Sequence, residues 1–158
     1  MKKYLLIFIS LLTINACEIT PIEGCTDNNA LNHNISANID DNSCDYKSEI
    51  IFFLEQSAGI YLYNQGVQEL MFYIDSNYIG SQYNNDGFIT SQVIPNCGDT
   101  YYTNYTVYWT GSSYNSFYYE VTDENGYIWY NTSLQTEANE CKTIGLTANN
   151  IISFQNEN

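Results

Sequence analysis

Arginine is absent from the 158 residues, and lysine stands only at positions 2, 3, 47 and 142. Eighteen acidic residues leave a formal net charge of −14. Such a chain repels phosphate backbones, so nucleic acid is excluded as a partner. Histidine occurs once, as His33, which removes most general-base and metal-ligand chemistry built on imidazole. The sequence holds no G-x-S-x-G, H-E-x-x-H or P-loop pattern, and the expectation is a chain without catalysis. Carboxylates are plentiful, but nothing in the sequence marks out two of them as an acid pair. Apolar runs of roughly 20 residues, the length needed to cross a bilayer, are missing as well.

The longest apolar run is the stretch from Tyr4 to Ile14, preceded by Lys2 and Lys3 and followed by the small residue Ala16. A positive start, a short apolar centre and a small residue before the cut make up a secretory signal. The stretch Ile14-Asn15-Ala16-Cys17 resembles the lipobox of bacterial lipoproteins. That resemblance implies cleavage after residue 16, acylation of Cys17, and residence in the cell envelope, at the outer membrane or cell surface, through a palmitate-type anchor. Loss of Lys2 and Lys3 then takes the charge from −14 to −16.

Five cysteines, at 17, 25, 44, 97 and 141, are an odd number for an exported chain. Lipidation of Cys17 leaves four, which allow three pairings. The nearest-neighbour pairing joins Cys25 to Cys44 and Cys97 to Cys141. Zinc is the rival use, but no C-x-x-C spacing supports it.

The chain divides into a signal peptide (1–16), a tether (17–23), an Asn/Asp-rich segment (24–46) and a β-rich domain (49–158). The segment 24–46 has too few apolar residues for a core of its own, so a Cys25–Cys44 staple suits it. It carries Asp27, Asn32, Asn34, Asp40 and Asp41, five hard oxygen donors in close succession. Calcium takes six to eight such oxygens and is the candidate cofactor, although the spacing is not that of an EF-hand.

From residue 49 onward, aromatic and β-branched runs alternate with Asn, Gly, Asp and Ser breaks. Strands are expected near 50–54, 60–64, 69–75, 78–82, 88–94, 104–110, 115–122, 127–132, 140–146 and 150–154. Hairpin turns are expected at Asp75-Ser76-Asn77 and Glu124-Asn125-Gly126. No window shows a sustained helical period. The expected fold is all-β, an antiparallel two-layer sandwich with a stapled N-terminal loop. Alternation proposes as core faces Leu70, Phe72 and Ile74, then Tyr105, Val107 and Trp109, then Phe117, Tyr119 and Val121.

Sixteen tyrosines, two tryptophans and seven phenylalanines exceed what one face per strand requires. Tyr73, Tyr108, Tyr118, Trp129 and Tyr130 are therefore candidates for an exposed stacking face that takes a surface glycan. The broader expectation is a structural or interaction module whose partner is another envelope protein.

Residues 24–46, reading GCTDNNALNHNISANIDDNSCDY, resemble a cysteine-bracketed motif of surface proteins in Bacteroidetes-type bacteria. Gly24, Cys25, Thr26, Asp27, Asp40, Asp41, Ser43, Cys44 and Tyr46 carry the likeness, while His33 and Asn42 depart from it. The later stretch FYIDSNYIG, with Cys97 and the strand 140–146, resembles small prealbumin-like or immunoglobulin-like domains of the same bacteria. Those resemblances imply a non-catalytic surface role.

Overall fold

The computed structural model describes residues 20–84 and 87–151. They form a β-rich fold: β1 (Glu23–Gly24), β2 (Ile39–Asp40), β3 (Asp45–Glu55), α1 (Gln56–Asn64), β4 (Glu69–Ile74), β5 (Asn77–Tyr83), β6 (Thr90–Ser91), β7 (Thr103–Thr110), β8 (Tyr114–Asp123), β9 (Ile128–Glu137) and β10 (Cys141–Leu146). Among the described residues no helix is long and apolar enough to cross a membrane.

One four-stranded sheet runs in the order β5-β4-β8-β9 and is antiparallel throughout. The other is centred on β3, with β10 on one flank and β7 and β6 on the other. The two sheets face each other across one core. There the Phe52 ring lies 5.3 Å from Phe72 and 5.4 Å from Tyr119. Alternation predicts the β8-sheet core well: Leu70, Phe72, Ile74, Phe117, Tyr119 and Val121 are all buried.

The all-antiparallel expectation does not hold, because β3 pairs with both β10 and β6 in parallel. The turn after β9 explains the direction of β10. Asn139, at φ 61, reverses the chain beside the start of β3, where its amide donates to the Lys47 carbonyl at 2.7 Å. The Glu49 amide then donates to Glu140, so β10 sets off alongside β3 and runs the same way.

Residues 60–64 are not a strand. Gln56–Asn64 is helical, with Ala58, Gly59 and Leu62 buried at helical spacing. Gly59 lets the helix press against β6, since a Cβ there would collide with the Thr90 methyl. Tertiary packing overrides the strand preference of Ile60 and Tyr61. Residues 148–151 form a helical turn, and 152–154 lie outside the described residues.

The expected strand 88–94 shrinks to Thr90–Ser91. The chain beyond it crosses the outer face of the β3 sheet. Pro95 is buried, and Cys97 is bonded to Cys141 on β10, with its sulfur 3.6 Å from the Glu49 carbonyl oxygen. This strap explains why Ile51 and Phe53 are only 0% and 7% exposed although they point away from the main core. Phe53 also lies across Gly145, where an added Cβ would sit 3.0 Å from its ring.

The Asn/Asp-rich segment closes one end of the core. Cys25 and Cys44 are bonded and buried, and Tyr46 stacks on Trp109 with centroids 5.9 Å apart. Nearby, the Ser48 and Thr136 hydroxyls are 2.6 Å apart, and Thr136 donates to Glu140 Oε2 at 2.9 Å. Burial pushes the Glu140 pKa up. Bonds from the Glu137 amide, Thr136 and Lys142 outweigh that and hold it below the ordinary 4.5. A lowered carboxylate pKa stabilises the fold above the ordinary value, and that contribution disappears as pH falls through the folded value. Thermal unfolding of the wild type is therefore expected to fall more steeply below about pH 4.5 than that of Glu140→Gln. Parallel profiles would show that the knot carries no stability.

Candidate binding surface

Cys17, the expected acylation site, lies outside the described residues. Cys25–Cys44 and Cys97–Cys141 are both present as disulfides.

The five candidate calcium donors are already engaged in local bonds. Asp27 Oδ1 accepts from the Asn29 amide at 2.8 Å, and its Oδ2 accepts from the Tyr46 hydroxyl at 2.9 Å. These bonds hold the Asp27 pKa low, while burial and the Asp27 contact push Tyr46 up to about 12. Asn32 Oδ1 accepts from the Asp45 amide, and Asn34 Oδ1 from the Ser36 amide. Asp40 and Asp41 accept from the amides of Asn42 and Ser43, and Ser43 lowers the Asp41 pKa. These are turn-forming bonds of the kind Asn and Asp make in loops. Among the described residues no three His, Cys, Asp or Glu side chains gather as a metal-holding group.

The five candidate rings do not share a face. Trp129 and Tyr130 are both buried, at 7% and 3% exposure. The cause is a bulge: Val121 pairs with Tyr130 and Thr122 with Ile128, so Trp129 is the extra residue. Two successive side chains then turn inward. The Trp129 indole donates to Asp123 Oδ2 at 3.2 Å and meets Tyr127 edge-on at 4.8 Å. The Tyr130 hydroxyl donates to the Thr147 carbonyl, and burial raises its pKa. Tyr108 is exposed, but it stands on β7 in the other sheet, opposite Lys47.

Tyr73 and Tyr118 remain together on the outer face of the β8 sheet. A third ring, Tyr78, joins them. The bulge between Phe72 and Tyr73 brings Tyr78 opposite Tyr73, with centroids 5.7 Å apart and planes at 66°. The hairpin that places it turns on Asp75 and Ser76, at φ 47 and 65, as a primed two-residue turn requires. Alternation alone does not reveal Tyr78, because the bulge changes its phase. Across the sheet the row continues from Tyr73 to Glu120 and then Asn131. Tyr118 lies two residues from Glu120 on the same strand face and opposite Ser133. Tyr78 and Tyr118 are 57% and 40% exposed.

The two outer faces thus differ in kind. That of the β3 sheet is covered over Ile51 and Phe53 and leaves the single ring of Tyr108 exposed, whereas that of the β8 sheet groups several rings with carboxylates. A groove of about 350 Å³ adjoins the latter at the corner between β5 and the start of β7. Tyr83, Tyr101, Tyr102 and Ile89 line it, and no described lining residue is acidic, basic or a thiol. Such walls can stack and donate hydrogen bonds, and they offer no general base at neutral pH.

Comparison with protein-family models, with curated proteins and with solved structures finds no match to this chain.

Proposed function

We propose that the chain is a non-catalytic interaction module of the bacterial cell envelope, a two-layer sandwich held to a membrane by an acyl group on Cys17. The observation that carries the interaction role is the grouping of Tyr73, Tyr78 and Tyr118 on the outer face of the β8 sheet, whereas the β3 sheet exposes only the isolated Tyr108 among the candidate rings. A sheet that served structure alone would have no need of two exposed rings, Tyr78 and Tyr118, beside the half-buried Tyr73, since exposed apolar groups are stabilised by cover. The tether supports the geometry. Ile22 and Thr20 bond to Asn38 beside the stapled segment, so the anchor leaves from one end and the open face stands at the side.

Carbohydrate binding is the second reading. The groove beside Tyr83 and Tyr101 favours it, because phenol rings and neutral donors suit a sugar.

The anchor is tested by fractionation. The wild type is expected in the membrane fraction with an acyl mass on residue 17, and Cys17→Ser is expected to be soluble. An intact Met1, or a free thiol at position 17, would overturn that part. The interaction role is tested with a photoreactive side chain at position 118 or 108 in the living bacterium. A discrete protein adduct from 118 and none from 108 supports the reading. A glycan array on the soluble chain, with binding lost in Tyr101→Ala, would favour the carbohydrate reading instead.

A further inference from the structure

We infer that the open face of the β8 sheet receives a basic extended protein segment, and that Glu120 takes the charge of a lysine or arginine whose stem lies against Tyr73 and Tyr118. This inference rests on the interaction reading above and names the partner's chemistry.

Charge is the first argument. Strands β4, β5, β8 and β9 contain no lysine, arginine or histidine, while Glu69, Glu120 and Glu137 alternate onto their outer face. Lys142 on β10 lines a hollow with Glu137 and is paired to Glu140, whereas the strands around Glu69 and Glu120 supply no cation. Phosphate and anionic lipid are repelled, and a basic segment is attracted.

Engagement of the carboxylates is the second. Tyr83 is hydrogen-bonded to Glu69, which raises the phenol pKa. Glu124 accepts the amides of Gln68 and Glu69, and Asp75 accepts the amide of Tyr118. The side chains of Glu120 and Glu137 have no such bond or ion pair among the described residues, and Glu120 is half-buried between Tyr73 and Asn131 on the neighbouring strands. An arriving cation would give the Glu120 carboxylate a charge-assisted partner that it lacks within the chain.

Ring geometry is the third. Tyr73 and Tyr78 meet at 66°, so they form a corner, not the flat platform that a pyranose ring stacks on. Glu120 lies directly across from Tyr73 and two residues along from Tyr118. A cation within about 6 Å of a ring face is attracted by the ring quadrupole, and a neighbouring carboxylate adds to it. Long basic side chains also lay their methylene stems on apolar surface while keeping the charge at the tip.

The test uses the whole mature chain with Cys17→Ser, titrated with a fluorescein-labelled octa-arginine peptide at low salt. Binding is expected, and it should weaken as salt rises. Glu120→Gln and Tyr118→Ala are each expected to weaken it about five- to tenfold, with melting temperatures close to the parent's. Tyr108→Ala, on the opposite sheet, is expected to leave it unchanged. Equal binding by Glu120→Gln and the parent would overturn the inference, as would binding of neutral oligosaccharide at Tyr118. Photo-crosslinking separates this failure from failure of the interaction reading. An adduct from 118 that persists in Glu120→Gln sinks the basic-segment claim alone, and absence of any adduct from 118 sinks the reading beneath it.

Discussion

Phe52→Ala is expected to lower the free energy of unfolding by about 3–5 kcal/mol, the cost of emptying a fully buried aromatic site. Phe52 is 2% exposed and is the residue of β3 that reaches furthest into the opposite sheet. Its ring meets Phe72 on β4 and Tyr119 on β8, so one truncation removes contacts to two strands of the facing layer. Its backbone stays paired to Ile144 and Thr103, which limits how far the site can collapse around the cavity. Domains of this size are stable by only about 5–15 kcal/mol, so the loss is a large share of the total. Urea unfolding followed by tryptophan fluorescence checks it, because Trp109 and Trp129 both report on the core. A change under about 1 kcal/mol would mean that Phe52 does not join the two sheets.

Removing the second disulfide is expected to have a comparable effect through the unfolded state. Cys97 and Cys141 are 44 residues apart, and the chain-entropy relation gives about 4 kcal/mol for a loop of that length. The double variant Cys97→Ser, Cys141→Ser should also change the folded molecule. The strap is pinned to β10 at this bond, and Ile51 and Phe53 lie beneath its path. Its release should uncover apolar surface, seen as increased binding of a hydrophobic dye under conditions where the fold persists. Loss of stability without added dye binding would show that packing of Pro95 holds the strap unaided. An unchanged unfolding midpoint would contradict both parts. The open face of the β8 sheet is remote from this bond, so crosslinking from position 118 should persist.

Much of the β8 sheet was legible from the residue pattern, because its strands alternate and its turns carry local chemistry. Leu70-Phe72-Ile74 and Phe117-Tyr119-Val121 announce their inward faces by period two. Asp75-Ser76 and Gly126 announce reversals, since all three have positive φ. The β3 sheet was less legible. Ile50 to Leu54 are apolar without a break, which signals burial on both faces but not what covers each face. The cover is a segment whose expected strand, 88–94, forms only at Thr90–Ser91, and it is held by a cysteine far along the chain. Helix α1 was hidden because Ile60, Tyr61 and Tyr63 favour strands, and its short buried stripe of Ala58, Gly59 and Leu62 gains meaning only once β6 lies against it. The binding surface was half legible. Alternation identified Tyr73 and Tyr118. Trp129 and Tyr130, proposed from the abundance of rings, are buried because a bulge turns both inward, and a bulge beside β5 concealed Tyr78.

The partnership of β3 with β10 has a consequence for the order of assembly. The first long strand of the domain is flanked on one side by the last, with the 85 residues 56–140 between them. A chain emerging from its amino end cannot complete that sheet until the stretch from Cys141 to Leu146 arrives. Until then one edge of β3 stays unpaired, and Cys97 lacks Cys141, its partner in the folded chain. Distant pairing of this sort slows folding, because the closing of a long loop comes before its reward. This sheet therefore closes only after the last strand has joined it. Trimming the carboxyl end before β10 is then a lesion of the whole sheet and not of one margin.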